Sequence, residues 1–350
     1  MPRFRGALSG ATLFFALWAG LWCAVAQAQD LDLYEGEVPV ASQSEADRAA
    51  ALPAALAQVL AKVGGASSSE ANTQQASGLL QQYRYRQEMV NVDGVTQSRL
   101  HLIARFDRNG VQRMLDASGN IALPAQRAQP ILWLAIDDGS GARIVSQDAA
   151  PAVAPLTSRA VQRGLRVRLP SYDEQDRSIL IPRDIPGGEP YSVDIATQRY
   201  GGPALIGWLR RGESGWIADW RLRDGDTDIS RWSSQDAQAA VVLAAGADGA
   251  ADALAQRYTQ MVLSGAAGRY RIVVEGLRDG ADYARVMQVI RRQPIVREIV
   301  PASLAGERLE LELELSSGVE GLARLLQGSV LEAVSVGDAN APSVFVFGGR

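Results

Sequence analysis

Cysteine, histidine and lysine are nearly missing from this chain of 350 residues, each occurring once, as Cys23, His101 and Lys62. With Cys23 in the extreme N-terminal stretch, the rest of the chain has no thiol for a disulfide, a metal or a nucleophile. A single histidine excludes zinc sets built from Cys and His, and any His-dependent triad away from position 101. Lys62 follows Val59 rather than a serine three residues earlier, so an S-x-x-K hydrolase motif is absent, as are a G-x-S-x-G elbow and a P-loop. No run of about twenty apolar residues follows Val25, so no membrane span is expected. The net charge is −4, and loss of Arg3 and Arg5 with a leader makes it more negative, which argues against a nucleic-acid partner.

What is present begins with a leader. Arg3 and Arg5 precede an apolar stretch from Ala7 to Val25, and Ala26-Gln27-Ala28 supplies an A-x-A site. Residues 1–28 therefore read as a secretory signal peptide cleaved between Ala28 and Gln29, which predicts a periplasmic protein. Lipidation of Cys23 is the alternative, opposed by bulky Trp22 where processing favours a small side chain.

Hydropathy patterning predicts three α/β units after the leader, a multi-domain mixture of α+β and α/β folds. Residues 29–127 read as a strand-helix-hairpin domain: a strand over 31–40, a helix capped by Ser42 or Ser44 and kinked or broken at Pro53, a polar surface connection over 66–77, and a hairpin over 83–106 turning at Asp93-Gly94. A second helix follows from Asn109, then a short strand over Ile121–Leu123.

Residues 128–265 read as a middle mixed-sheet α/β domain. It comprises a buried strand over 130–136, a helix over 156–164, a strand over 165–169, a loop over 181–190, a helix over 193–200 and an antiparallel Trp-rich meander over 204–232. An alanine-rich helix from Gln235 to Leu263 closes it, with a break expected at Gly246 or Gly249. Residues 266–337 show the βαββαβ order of a ferredoxin-like domain, including the unbroken alternation Arg308–Leu315, and 338–350 read as a tail. Phe106–Leu115 and Leu315–Leu325 share a strand end, Gly-Val and a leucine-bearing helix, a short match of the kind an internal repeat leaves.

Candidate chemistry is sparse. Asp137-Asp138, after an apolar strand, could face a ligand or Mg²⁺, although an Asp-Gly turn explains the same residues. Asp224, Asp226 and Asp228 have the first spacings of a calcium loop, but Ile229 and Gln235 stand where that loop needs Gly and Glu. Asp173, Glu174 and Asp176 form the densest acidic cluster, and a carboxylate pair for glycan cleavage needs only spatial proximity. Trp208 and Trp232, interleaved with Arg210 and Arg231, could form a stacking platform, while Trp216 and Trp220 alternate onto the side of Ala218 and Leu222 and read as core. Glu310, Glu312 and Glu314 on the open C-terminal sheet face argue against RNA binding, and the Gly276–Gly280 turn is a possible small-ligand site.

The segment from Leu33-Tyr-Glu-Gly-Glu-Val-Pro-Val to Ala61-Lys-Val-Gly-Gly65, with Pro130-Ile-Leu-Trp-Leu, Gly164-Leu-Arg-Val-Arg-Leu-Pro170 and the Trp-rich meander, resembles a bacterial family of unknown function, number 2066 (DUF2066). That resemblance implies an exported proteobacterial protein and carries no catalytic residue across. The expectation is a non-catalytic accessory protein of the cell envelope, without cofactor or metal, that binds envelope proteins. Alternatives are peptidoglycan binding, a carboxylate-dependent hydrolase, or regulation by a small ligand.

Overall fold

Alternating apolar positions on β3 (Val95–Phe106) meet a helix of matching periodicity, and that pairing organises the N-terminal third. In the computed structural model, which describes residues 32–71, 73–92, 95–125, 127–187, 191–337 and 341–348, the sheet order is β1 (Glu35–Val40), β3, β2 (Leu80–Val92), all antiparallel. Cys23, the Ala28/Gln29 cleavage point and the Asp93-Gly94 turn lie outside the described residues. The helix α1 (Glu45–Gly64) starts at Ser44, whose hydroxyl accepts the Asp47 N–H at 3.1 Å. It packs Leu52, Leu56, Val59 and Leu60 on Leu102, Ala104 and Phe106.

No break occurs at Pro53: α1 runs through it. The proline removes one helical hydrogen bond, and burial of the apolar residues on both sides outweighs that loss. The connection over 66–77 holds a 3-10 turn, Ala66–Glu70, with Ser68 wholly buried, and the short α2 (Ala76–Leu79). After α3 (Arg108–Ala117), capped by Asp107, the expected strand over Ile121–Leu123 does not form. Leu123 N–H bonds to Val63 O at 2.7 Å, while Ile121 is buried in the core of the C-terminal sheet. The segment is held by two neighbours and has no strand to pair with.

The second sheet is mixed. β4 (Ile131–Asp137), β5 (Arg143–Ile144), β6 (Ala204–Gly212), β7 (Gly215–Asp224) and β8 (Thr227–Asp236) lie in the order β5-β4-β6-β7-β8, parallel at β4–β6 and antiparallel elsewhere. β4 is buried on both faces: Leu132 and Leu134 in the core beneath α4 (Ala154–Gln162), Ile131 and Trp133 in a second core. That second core is closed by α5 (Glu174–Ile179), α6 (Asp184–Gly187) and α7 (Tyr191–Gln198), so 181–190 is not all loop. Residues 165–169 make no strand. Arg168 alone bridges to Ile131, because β5 and Val145 already occupy the same side of β4 further along.

α8 (Ala239–Val262) is unbroken at both Gly246 and Gly249. These glycines serve close approach instead: a Cβ on Gly246 would stand 2.5 Å from Trp220, and one on Gly249 2.3 Å from Trp232. The two indoles stack at 6.4 Å and 17° between β7 and β8, and the helix presses its bare backbone on them.

The third sheet contains β9 (Gly268–Glu275), β10 (Val296–Ala305), β11 (Arg308–Leu315), β12 (Leu331–Ser335) and β13 (Ser343–Phe347), with α9 (Gly280–Arg291) and α10 (Val319–Leu326). Residues 338–350 are therefore not simply a tail. β13 pairs parallel with β9 and antiparallel with β12, giving the order β10-β11-β9-β13-β12 with five strands rather than four, and Phe345 is fully buried. On β11 the leucines face the core and Glu310, Glu312 and Glu314 the other side. The two segments proposed as a repeat both run from strand into helix, but their sheets differ in strand number and order.

Gly249→Ala tests the packing role. Helix propensity alone favours alanine by about 1 kcal/mol, whereas overpacking against Trp232 costs about 1–3 kcal/mol. Urea denaturation should show a net loss of up to about 2 kcal/mol. Gly78→Ala, in α2 with nothing within 4 Å of its Cβ position, should be neutral or slightly stabilising; equal behaviour of the two would remove the packing argument.

Candidate functional site

Strand register sorts the tryptophans. Trp220 is opposite Trp232 and Gly207, on the α8 side, whereas Trp208 is opposite Asp219 on the other face. Trp208 and Trp232 thus do not form one platform. Trp220 is core, as alternation implies, Trp216 is half-buried against the same core, and Trp232 is covered by Gly249. Trp208 carries the Arg210 guanidinium 4.2 Å above its ring, and Arg210 pairs with Asp219 at 2.5 Å. Arg231 is ion-paired to Asp228 beside the same face.

That outer face forms one wall of a cleft of about 480 Å³, with Asp184, Ile185 and Val193 from α6 and α7 opposite Trp208, Asp219 and Arg231. Burial leaves the Trp208 indole N–H without an acceptor among the described residues. The sequence reading identified Trp208, Arg210 and Arg231 but missed Asp219. Its signal was available, because period-two alternation on β7 sets Asp219 on the face opposite Trp220.

Asp137 and Asp138 shape a turn. Asp137 accepts the Gly139 N–H at 3.0 Å, and Asp138 accepts Ser140 N–H at 3.1 Å and pairs with Arg143 at 2.9 Å. Arg143 first, and Ser140 next, hold the Asp138 carboxyl well below the usual carboxylate range. Asp224 pairs with Arg257 at 2.9 Å while Asp228 is taken by Arg223 and Arg231, so the apparent calcium spacing does not converge. Among the described residues, no group of three or more His, Cys, Asp or Glu side chains is placed to hold a metal ion.

The acidic cluster near Tyr172 has a structural role in tying α5 to α7. Asp173 caps α5 by accepting the Asp176 N–H at 3.2 Å, and Arg199 bonds both carboxylates, at 2.8 Å and 3.1 Å. Asp176, fully buried, also accepts the Tyr200 hydroxyl at 2.5 Å, and Ser171 reaches that hydroxyl at 2.8 Å. Tyr172, at the turn into the cluster, has φ of 49°. His101 stands on β3 between Glu37 at 3.6 Å and Glu88 at 3.5 Å. Lys62 is buried, donates to Glu35 O at 2.6 Å, and has its pKa lowered by desolvation. In the C-terminal unit, Leu277 is buried and Asp279 caps α9 by accepting the Ala281 and Asp282 N–H groups.

Comparison with known proteins gives one family: that described as a domain of unknown function (DUF8605) matches residues 27–122. The matched stretch takes in β1–β3 and α1–α3. It corrects the resemblance to DUF2066, which no match supports. The longest segment that suggested DUF2066 is a strand followed by an Ala/Leu-rich helix, a pattern many α/β proteins share. No curated protein and no solved structure matches the chain. No helix among the described residues is long and apolar enough to cross a membrane.

Arg199 and the Asp176 N–H lower the Asp173 pKa from an ordinary 3.8 to about 2. A depressed folded-state pKa contributes stability that is present above 3.8 and lost as pH falls toward about 2. Urea midpoints of wild type and Asp173→Asn should therefore differ at neutral pH and converge in that acid window; a constant difference would remove the ionic contribution. Asp176→Asn, which breaks a buried charge pair, should cost about 3 kcal/mol at neutral pH, measured in the same way.

Proposed function

We propose that the chain is an exported, non-catalytic binding protein of the cell envelope that takes a partner protein along β8 and the adjoining cleft. The observation that carries this reading is that β8 is the last strand of its sheet, with no strand on its outer edge among the described residues, and that its exposed Arg231 and Ser233 border the cleft. An extended segment of a partner can continue the sheet there while alternate side chains enter the cleft. Asp138, Asp173 and Asp176 act as caps and ion-pair partners, which supports a binding role. A glycan has less support, since Arg210 already covers the Trp208 ring.

In this reading the leader ends at Ala28, the mature protein works in the periplasm, and the units divide near residues 127 and 265. The C-terminal unit is a ferredoxin-like plan, βαββαβ, with β13 inserted between its first and last strands.

A photo-crosslinking residue at exposed Arg231, which borders the cleft, should give a discrete protein adduct in cells that the same probe at exposed Arg113 does not. Successive N–H groups on an edge strand alternate between ladder and outer edge, so one of Ser233→Pro and Ser234→Pro should abolish the adduct while leaving the fold intact. Identical adducts at Arg113, or adducts insensitive to both prolines, would refute the reading. Retention on peptidoglycan without a protein adduct would favour the glycan alternative.

A further inference from the structure

A second cavity, of about 330 Å³, lies apart from the β8 cleft, where the end of α1, Leu123, Pro124, Arg127 and Ala128, the turn at Gly164 and α8 meet. Its walls are largely apolar, with Leu123, Leu165, Leu254 and Met261, and its cations are Arg127, Arg163 and Arg257. Two of the three are neutralised. Arg257 pairs with Asp224 at 2.9 Å, and Arg163 pairs with Asp248 at 2.5 Å and with Asp252.

Arg127 is different. Its Nε and Nη1 donate to the carbonyls of Pro124 and Gly164, each at 3.0 Å, and no carboxylate pairs with it among the described residues. Its Nη2 is buried without an acceptor, as is Nε of Arg163. Burial without a counter-charge pushes the Arg127 pKa down to about 10. The position is built to hold this side chain: Gly164, at φ of 71°, has no Cβ, and one placed there would stand 2.6 Å from Arg127 Nη1. A buried cation without a partner costs stability, and an anion supplied from outside would remove that cost.

We propose that this cavity is a binding site for a small amphipathic carboxylate, its apolar chain against α8 and its carboxylate neutralising Arg127. The volume is within the range of small-molecule sites, and apolar walls with a few polar groups are their usual chemistry. Arg127 Nη1 uses one of its two hydrogens on Gly164 and keeps the other for a ligand. The site is independent of the partner reading above, since it shares no lining residue with the β8 cleft.

The test titrates the mature chain with octanoate, using acetate as charge without a body and octanol as a body without charge. Calorimetry should show saturable one-site binding of octanoate, a raised melting temperature, and weaker responses to both controls. In a methionine-methyl NMR spectrum, Met261 at the cavity should shift and exposed Met89 should not. Arg127→Gln should weaken octanoate by tenfold or more, and Ala255→Phe, which fills the cavity and leaves Arg127 in place, should do the same. Absence of saturable binding, equal affinity for octanol, or a shift at Met89 with none at Met261 would each overturn the proposal. Should Arg127→Gln fail to fold, Ala255→Phe and the wild-type methyl shifts decide.

Discussion

Much of this molecule depends on how closely α8 approaches the middle sheet. Gly246 and Gly249 place bare helical backbone on the stacked rings of Trp220 and Trp232. That contact sets the depth at which the whole helix lies, and the helix reaches beyond its own sheet. Val262 is buried in the C-terminal core, and the carbonyls of Met261 and Val262 accept hydrogen bonds from Arg324 and Ser317. Ala251, Leu254 and Tyr258 on the same helix line the cavity whose far wall is the end of α1. A helix displaced outward by one methyl group at Gly249 would disturb all three regions together, because a rigid helix transmits the shift along its length.

A second constraint is electrostatic. Arginine supplies almost all positive charge, and its planar fork is matched to carboxylates throughout: Arg84 with Glu35, Arg199 with Asp173 and Asp176, Arg223 with Asp194 and Asp228. Most acidic residues that attract attention in the sequence are consequently held by a guanidinium or by a helix N-terminus. Exposed pairs of this kind contribute little stability individually. Their larger effect is on function, since a carboxylate so held is a poor general base. Arg127, by contrast, is half-buried with carbonyl acceptors and no carboxylate partner among the described residues.

Several elements were legible because their signals are local. The alternation of Arg308–Leu315 specifies a half-buried strand, Ser44 and Asp279 mark helix starts, and the continuous apolar run at Ile131–Ile136 implies a strand covered on both faces. Errors fell where distant pairing decides. Leu165–Leu169 alternates like a strand, yet β4 had only Ile131 left to bridge. Ser343–Phe347 looked like part of a tail because its partner, β9, lies far upstream in the chain. Pro53, Gly246 and Gly249 looked like helix breakers, and burial of the surrounding apolar faces overrode their propensity.

The same division holds for the candidate sites. By itself the sequence determined that Cys23 is the one thiol and His101 the one imidazole, which excludes zinc sets built from Cys and His, together with an apolar N-terminal stretch and three successive α/β patterns, because these follow from residue inventory and short-range periodicity. Tertiary structure alone decided that Trp208 and Trp232 occupy opposite faces, and that Arg127 lies half-buried beside a cavity with no carboxylate partner among the described residues. Those facts depend on which side chains from distant segments come within a few ångströms of one another, and close packing between segments leaves no trace in the spacing of residues along a chain.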